Sequence, residues 1–204
     1  MKPAPTRQLA AWCLGLAVAL LAGCRAAPPV AYYSLSPLAA AEVYPSENAG
    51  PLVGVGPVTV PDMLDRPQIV TRTSANRIDV SEFHRWGGRL KDALPRVLIQ
   101  NIAVHLGSDR VALYPWKEPV RPTYRVSVDV LRFDGSLGEA VDLVAAWKIS
   151  RPADDEVLVV RRATFTTPVA GEGYDAYVAA QSIAIDDLAK TIAETITTLA
   201  KEGS

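Results

Sequence analysis

Cysteine, histidine and phenylalanine are scarce in this chain: two, two and three in 204 residues. Cys13 lies inside an apolar N-terminal run and Cys24 closes that run, which excludes a disulfide-stapled fold and a cysteine-ligated zinc site. His84 and His105 stand far apart, outside any HxxxH or HExxH spacing, and read as satisfied or surface histidines. A G-x-S-x-G elbow is lacking, so a Ser/His/Asp site has no support. Gly54-Val55-Gly56 lacks the third glycine, the following helix and the Lys-Ser/Thr of a phosphate loop. Charge of one sign is not in excess either, with 21 Lys+Arg against 22 Asp+Glu and no long like-charged run. That balance argues against a nucleic-acid partner. No catalytic residue, metal site or cofactor is therefore expected, and the chain does not read as an enzyme. Asp129, Asp134, Glu139 and Asp142 fall where exposed strand faces and turns place carboxylates. Asp154-Asp155-Glu156 reads as a solvated hairpin tip, because the glycine and distal glutamate of a calcium loop are missing.

A membrane-spanning run is also lacking. Lys2 and Arg7 precede an apolar stretch from Leu9 to Leu21, which Arg25 and Pro28-Pro29 stop before it reaches the ~18–20 residues that spanning needs. Positive start, short apolar core and small residues before a cut are the order of a secretory signal. Leu21-Ala22-Gly23-Cys24 resembles the bacterial lipobox, in which the cysteine thiol receives diacylglycerol and cleavage falls just before it. The chain divides on this reading into a signal peptide (1–23), a lipidated Ala/Pro-rich tether (24–31) and a single globular domain (32–204). With two or more acyl chains on Cys24, anchoring is firm, since each buried CH₂ contributes about 0.8 kcal/mol.

Beyond the tether the sequence alternates between strand and helix periodicities. Tyr32–Leu35 reads as a first strand, and Leu52–Pro61 as a strand bulged at Gly56-Pro57. Turn chemistry at Asp65-Arg66-Pro67 and again at Asn76 frames a hairpin carrying Ile69, Val70, Ile78 and Val80. From Glu82 to Leu106 the residues Trp86, Leu90, Leu94, Val97, Leu98, Ile102 and Leu106 recur at three and four, predicting a helix kinked or restarted at Pro95. A short strand at Arg110–Tyr114 precedes three segments, Thr123–Phe133, Val141–Ile149 and Val157–Thr166, that read as an antiparallel meander. A final helix over Tyr174–Lys201 carries Tyr177, Ile185, Leu188, Ile192, Ile196 and Leu199 on one side, with Asp186 and Lys190 in i,i+4 spacing. The fold class is α/β of the α+β-like kind: a sandwich of a mixed, largely antiparallel sheet with two main helices.

Two places look suited to docking a partner. One is the Asp65-Arg66 turn; the other is Tyr114-Pro115-Trp116, an aromatic pair around a proline in a loop.

"YYSL", "VGVGPVTVPDMLDRPQIVTR" (53–72), "FHRWGGRLKDALPRVLIQNI" (83–102) and "YRVSVDVLRFDG" (124–135) together resemble the ABC-type transport auxiliary lipoproteins of the PqiC/YmbA type. "LDRPQIVTR" with the later Arg85-Trp86 is the most specific part, and Gly87-Gly88, where the family usually has Ala-Glu, is a departure. The resemblance implies a fold like the N-terminal domain of TolB. It also implies a place in a lipid transport system between the two membranes, beside an inner-membrane permease and an MCE-domain protein that spans the periplasm. Arg25 in place of Asp after the cysteine resembles the pattern of lipoproteins sorted to the inner leaflet of the outer membrane, facing the periplasm. Ring-like self-association is compatible with this picture. A different class of reading stays open: a stand-alone periplasmic lipid carrier, or an activator of an envelope enzyme.

Overall fold

A computed structural model describes residues 28–37, 50–116 and 120–202. The signal peptide, Cys24 and the first half of the tether lie outside the described residues. Among the described residues, eight strands and two helices follow one another: β1 (Ala31–Tyr33), β2 (Val53–Thr59), β3 (Gln68–Ser74), β4 (Arg77–Trp86), α1 (Leu90–Leu106), β5 (Val111–Leu113), β6 (Tyr124–Gly135), β7 (Ala140–Arg151), β8 (Glu156–Pro168) and α2 (Gly173–Glu202). Among the described residues, no helix is long and apolar enough to cross a membrane.

The strands form two mixed sheets rather than one. A three-stranded sheet runs β1-β4-β3 and a five-stranded sheet runs β5-β2-β6-β7-β8. The β3–β4 hairpin and the β6-β7-β8 meander are antiparallel, as their turn chemistry and alternation predict, whereas β1–β4, β2–β5 and β2–β6 pair in parallel. Along β7, Val141, Leu143, Ala145, Trp147 and Ile149 are buried at every second position, which gives the large sheet its core face. Helix α2 packs on that face over β7 and β8, and α1 beside it over β2 and β5. The helix's interior stripe of Tyr177, Ile185, Leu188, Ile192 and Ile196 is almost wholly excluded from water. Burying each such side chain contributes roughly 1.5–3 kcal/mol. Where β3 meets β6 the small sheet joins the large one.

Four local readings are corrected. Trp86 belongs to β4, not to a helix: its N–H donates to the Pro67 carbonyl at 2.7 Å, and it lies opposite Tyr33 of β1. Its i,i+4 spacing to Leu90 arises because both enter the same core from different backbone. Gly87-Gly88 therefore links strand to helix, and the helix starts only at Leu90. The helix then runs through Pro95 without a break. The bond that the proline lacks would go to the carbonyl of Lys91 in the first turn, where backbone can adjust, while Leu94, Val97, Leu98 and Ile102 hold the helix by packing. Gly107, at φ +60°, closes it with Ser108 N–H donating to Ala103 and Gly107 N–H to Val104, both at 3.0 Å.

The third correction concerns Asp134, which is buried at 2% exposure rather than on an exposed face. A register shift between Val130 and Arg132 interrupts the alternation of β6: Phe133 lies opposite Leu143 on the core face, while Asp134, opposite Asp142 on the other face, is buried under Arg72 of β3. Lastly, Asp186 does not reach Lys190. Its carboxylate meets His105 Nε2 of α1 at 2.9 Å and so links the two helices.

Candidate functional site

The β2 strand explains where the loop aromatics go. A Cβ on Gly54 would stand 2.8 Å from the Trp116 ring and 2.7 Å from Pro122, and one on Gly56 would stand 2.5 Å from Tyr114 Cβ. Gly56 also has φ +130°, a conformation that suits only glycine. The two glycines thus form a floor on which Tyr114 and Trp116 lie, edge to face at 5.2 Å and 82°. The Arg125 guanidinium covers the indole, 5.5 Å from its centre. Trp116 is partly covered by this arrangement, whereas Tyr114 keeps half of its surface exposed. The expected β2 bulge is present, as a register shift between Val55 and Val58.

Asp65 and Arg66, adjacent in sequence, do different things. The Asp65 carboxylate accepts from Arg89 Nη2 at 2.8 Å and meets Lys91 Nζ at 3.1 Å, at the start of α1. That helix has no side-chain N-cap, so a carboxylate at its positive end is favourably placed. Partial burial opposes the charge, but the bonds from Arg89 and Lys91 outweigh it and hold Asp65 below the usual carboxylate range. Arg66 is exposed, and among the described residues its guanidinium has no partner. The described contacts do not bring the Asp65 turn and the Tyr114 loop together.

Sequence reasoning missed the ionic cluster at the junction of the two sheets. Arg72 donates from Nε to Asp134 Oδ1 at 2.9 Å and from Nη2 to Oδ2 at 2.6 Å, while Arg132 Nε reaches Oδ1 at 2.7 Å. Arg132 also meets Asp142 at 3.0 Å, and Thr166 donates to Asp142 at 2.7 Å. Desolvation raises the Asp134 pKa, yet the two guanidinium groups overcome it and hold the carboxyl below its ordinary value. Beside the cluster, Tyr177 of α2 donates to the Val70 carbonyl at 3.0 Å, and burial raises its phenol pKa.

A second missed group is aromatic. Tyr33 hydrogen-bonds His84 Nδ1 at 2.8 Å, and Tyr174 stacks on the His84 ring at 3.9 Å. His84 is thus a satisfied histidine. The acidic tip is likewise satisfied, Arg151 meeting both Asp154 and Glu156. No group of three metal-ligating side chains is present among the described residues.

Among the clefts formed by the described residues, two with largely apolar linings lie open on the surface. One, of about 420 Å³, is floored by Pro57, Ala146 and Val160 on the face of the large sheet away from the helices. The other, of about 410 Å³, lies between Leu106 and Ile196 at the far end of α2.

A family model described as "ABC-type transport auxiliary lipoprotein component" matches residues 33–193. The chain is similar in structure to the crystal structure of an uncharacterized protein, with a TM-score of 0.68 and 20% identity over 83% of this chain and 99% of that one. It is equally similar to protein XCC0632 from Xanthomonas campestris, with a TM-score of 0.68 and 20% identity over 85% of this chain and 99% of that one. No curated protein matches the sequence.

Proposed function

The chain belongs to the ABC-type transport auxiliary lipoprotein family, and on that premise we propose that it is the outer-membrane-anchored docking component of an MCE-type lipid transport system. Its partners would be an MCE-domain protein that spans the periplasm and the inner-membrane permease behind it. Cys24 would carry the acyl anchor, and the folded domain would stand on the periplasmic face of the outer membrane.

The observation that supports docking over carriage is the way the chemically distinctive side chains are used. Asp65 holds the start of α1, Trp116 lies on the glycine floor, and Asp134 joins the two sheets. Arg66, without a partner among the described residues, and the half-exposed Tyr114 stay outward, as two separate places for a partner to dock. A carrier needs an enclosed apolar pocket. The two apolar clefts described above are open grooves.

Mass spectrometry of the lipoprotein extracted in mild detergent separates the readings. Docking predicts that the acyl chains on Cys24 are the lipid found in stoichiometric amount. A second phospholipid, bound non-covalently one to one, would transfer the function to a lipid carrier.

A further inference from the structure

The β1 end of the molecule carries exposed apolar and aromatic side chains where the tether enters. Within β1, Tyr33 turns inward to His84, so Tyr32 turns outward and is 68% exposed, beside Val30 at 40%. A largely polar groove lined by Gln68, Ser81, Glu82 and Arg85 opens beside Val30 and Phe83, and another runs from Tyr32 to Ile183 of α2, itself 38% exposed. Ser36 N–H donates to Ser182 at 3.2 Å and fixes this corner to the N-terminal half of α2.

We infer that this corner, formed by Val30, Tyr32, Phe83 and Ile183, rests on the lipid surface that holds the anchor. The inference deepens the proposed function, because it relies on acylation of Cys24. Chain length selects the occupant. From Cys24 to Ala31 the backbone spans at most about 25 Å when fully extended. From Ile183 in this corner to Lys201, helix α2 runs about 27 Å. The tether is too short to let the domain turn its far end to the bilayer, so the corner where β1 enters is the one that meets the headgroups. Tyrosine suits that depth, with an apolar ring and a polar tip. The charged groups around the corner are Glu82, Arg85 and Asp175, which give no net basic patch. The contact is therefore apolar rather than electrostatic.

If Cys24 is acylated, its thiol is blocked, so one introduced cysteine is uniquely labelled after cleavage. The full lipoprotein, bearing an environment-sensitive fluorophore at Tyr32→Cys or at Lys201→Cys, is reconstituted into phosphatidylcholine vesicles containing doxyl lipid. The label at 32 is expected to shift to the blue and lose most of its emission to the doxyl quencher, in about 1 M salt as well as in dilute buffer. The label at 201, at the far end of α2, is expected to remain unquenched. With acylation verified by mass, an unquenched label at 32 overturns the inference and leaves the anchor standing. A label at 32 that is shielded from water but unquenched gives the corner to a second copy of the chain and also overturns it. Quenching that vanishes in high salt refutes the apolar contact, and an unacylated Cys24 removes both the anchor and the inference.

Discussion

Arg72 grips Asp134 with two nitrogens at 2.9 and 2.6 Å, and the pair, 62 residues apart in the chain, ties the three-stranded sheet to the five-stranded one. Arg72 ends the "LDRPQIVTR" segment and Asp134 lies in "YRVSVDVLRFDG", so two segments of the family resemblance meet in one ion pair.

Replacing Asp134 with Asn leaves two guanidinium groups without their carboxylate. Breaking a fully buried pair costs about 3–5 kcal/mol, and because Arg72 and Arg132 keep 20% and 35% of their side-chain surface, about 2–3 kcal/mol is expected here. Urea denaturation at neutral pH measures it, and native-like stability of Asp134→Asn would refute the role. The folded pKa of Asp134 is depressed. The pair's contribution is thus fully present above the unfolded value of about 4 and is lost as pH falls through the lower folded value. The acid limb of the stability profile should be shallower in Asp134→Asn.

Gly54→Ala is expected to lift Trp116 off its floor, at about 1–3 kcal/mol of overpacking. The other tryptophans of the domain, Trp86 and Trp147, are 6% and 3% exposed, so Trp116 should dominate acrylamide quenching. The quenchable fraction should rise in Gly54→Ala and stay low when Trp116→Phe is added. Unchanged quenching would mean that the glycine is not what seats the ring.

The Asp65-Arg66 turn separates by substitution. Asp65→Ala should lower Tm by freeing the start of α1, while Arg66→Ala should leave Tm unchanged. Combined with Tyr114→Ala, Arg66→Ala should weaken binding to the MCE partner about tenfold or more if these two side chains are anchors of the interface. Equal binding by the double variant would place the interface elsewhere.

Much of the fold was legible in the sequence, for physical reasons that also mark its limits. Tyr124, Val126, Val128 and Val130 announce β6 because one face is buried and the period is two. The same rule fails beyond Val130, where the register shift brings Phe133 to the core face and leaves Asp134 opposite Asp142, buried by Arg72 from a distant strand. Trp86 imitates a helical position because burial, not backbone, sets its spacing to Leu90. Tyr114 and Trp116 were recognisable as a loop pair, but the role of Gly54 and Gly56 beneath them depends on a strand more than fifty residues earlier. The Arg72–Asp134 pair is long-range and has no local signal. Neither does the use of Asp65 as a helix clamp: beside Arg66 and Pro67 it looks like turn chemistry alone.

Cys24→Ser should abolish acylation and leave uncleaved precursor at the inner membrane, read by metabolic palmitate labelling and membrane fractionation. Labelling that survives the substitution would refute the anchor.

Docking itself is tested most directly by crosslinking in intact cells, followed by capture of the detergent-solubilised lipoprotein and identification of what comes with it. The account predicts an MCE-domain protein recovered in stoichiometric amount, with its yield falling when Arg66 and Tyr114 are replaced. Efficient crosslinking and capture of the folded, acylated lipoprotein with no MCE-domain protein attached would contradict it.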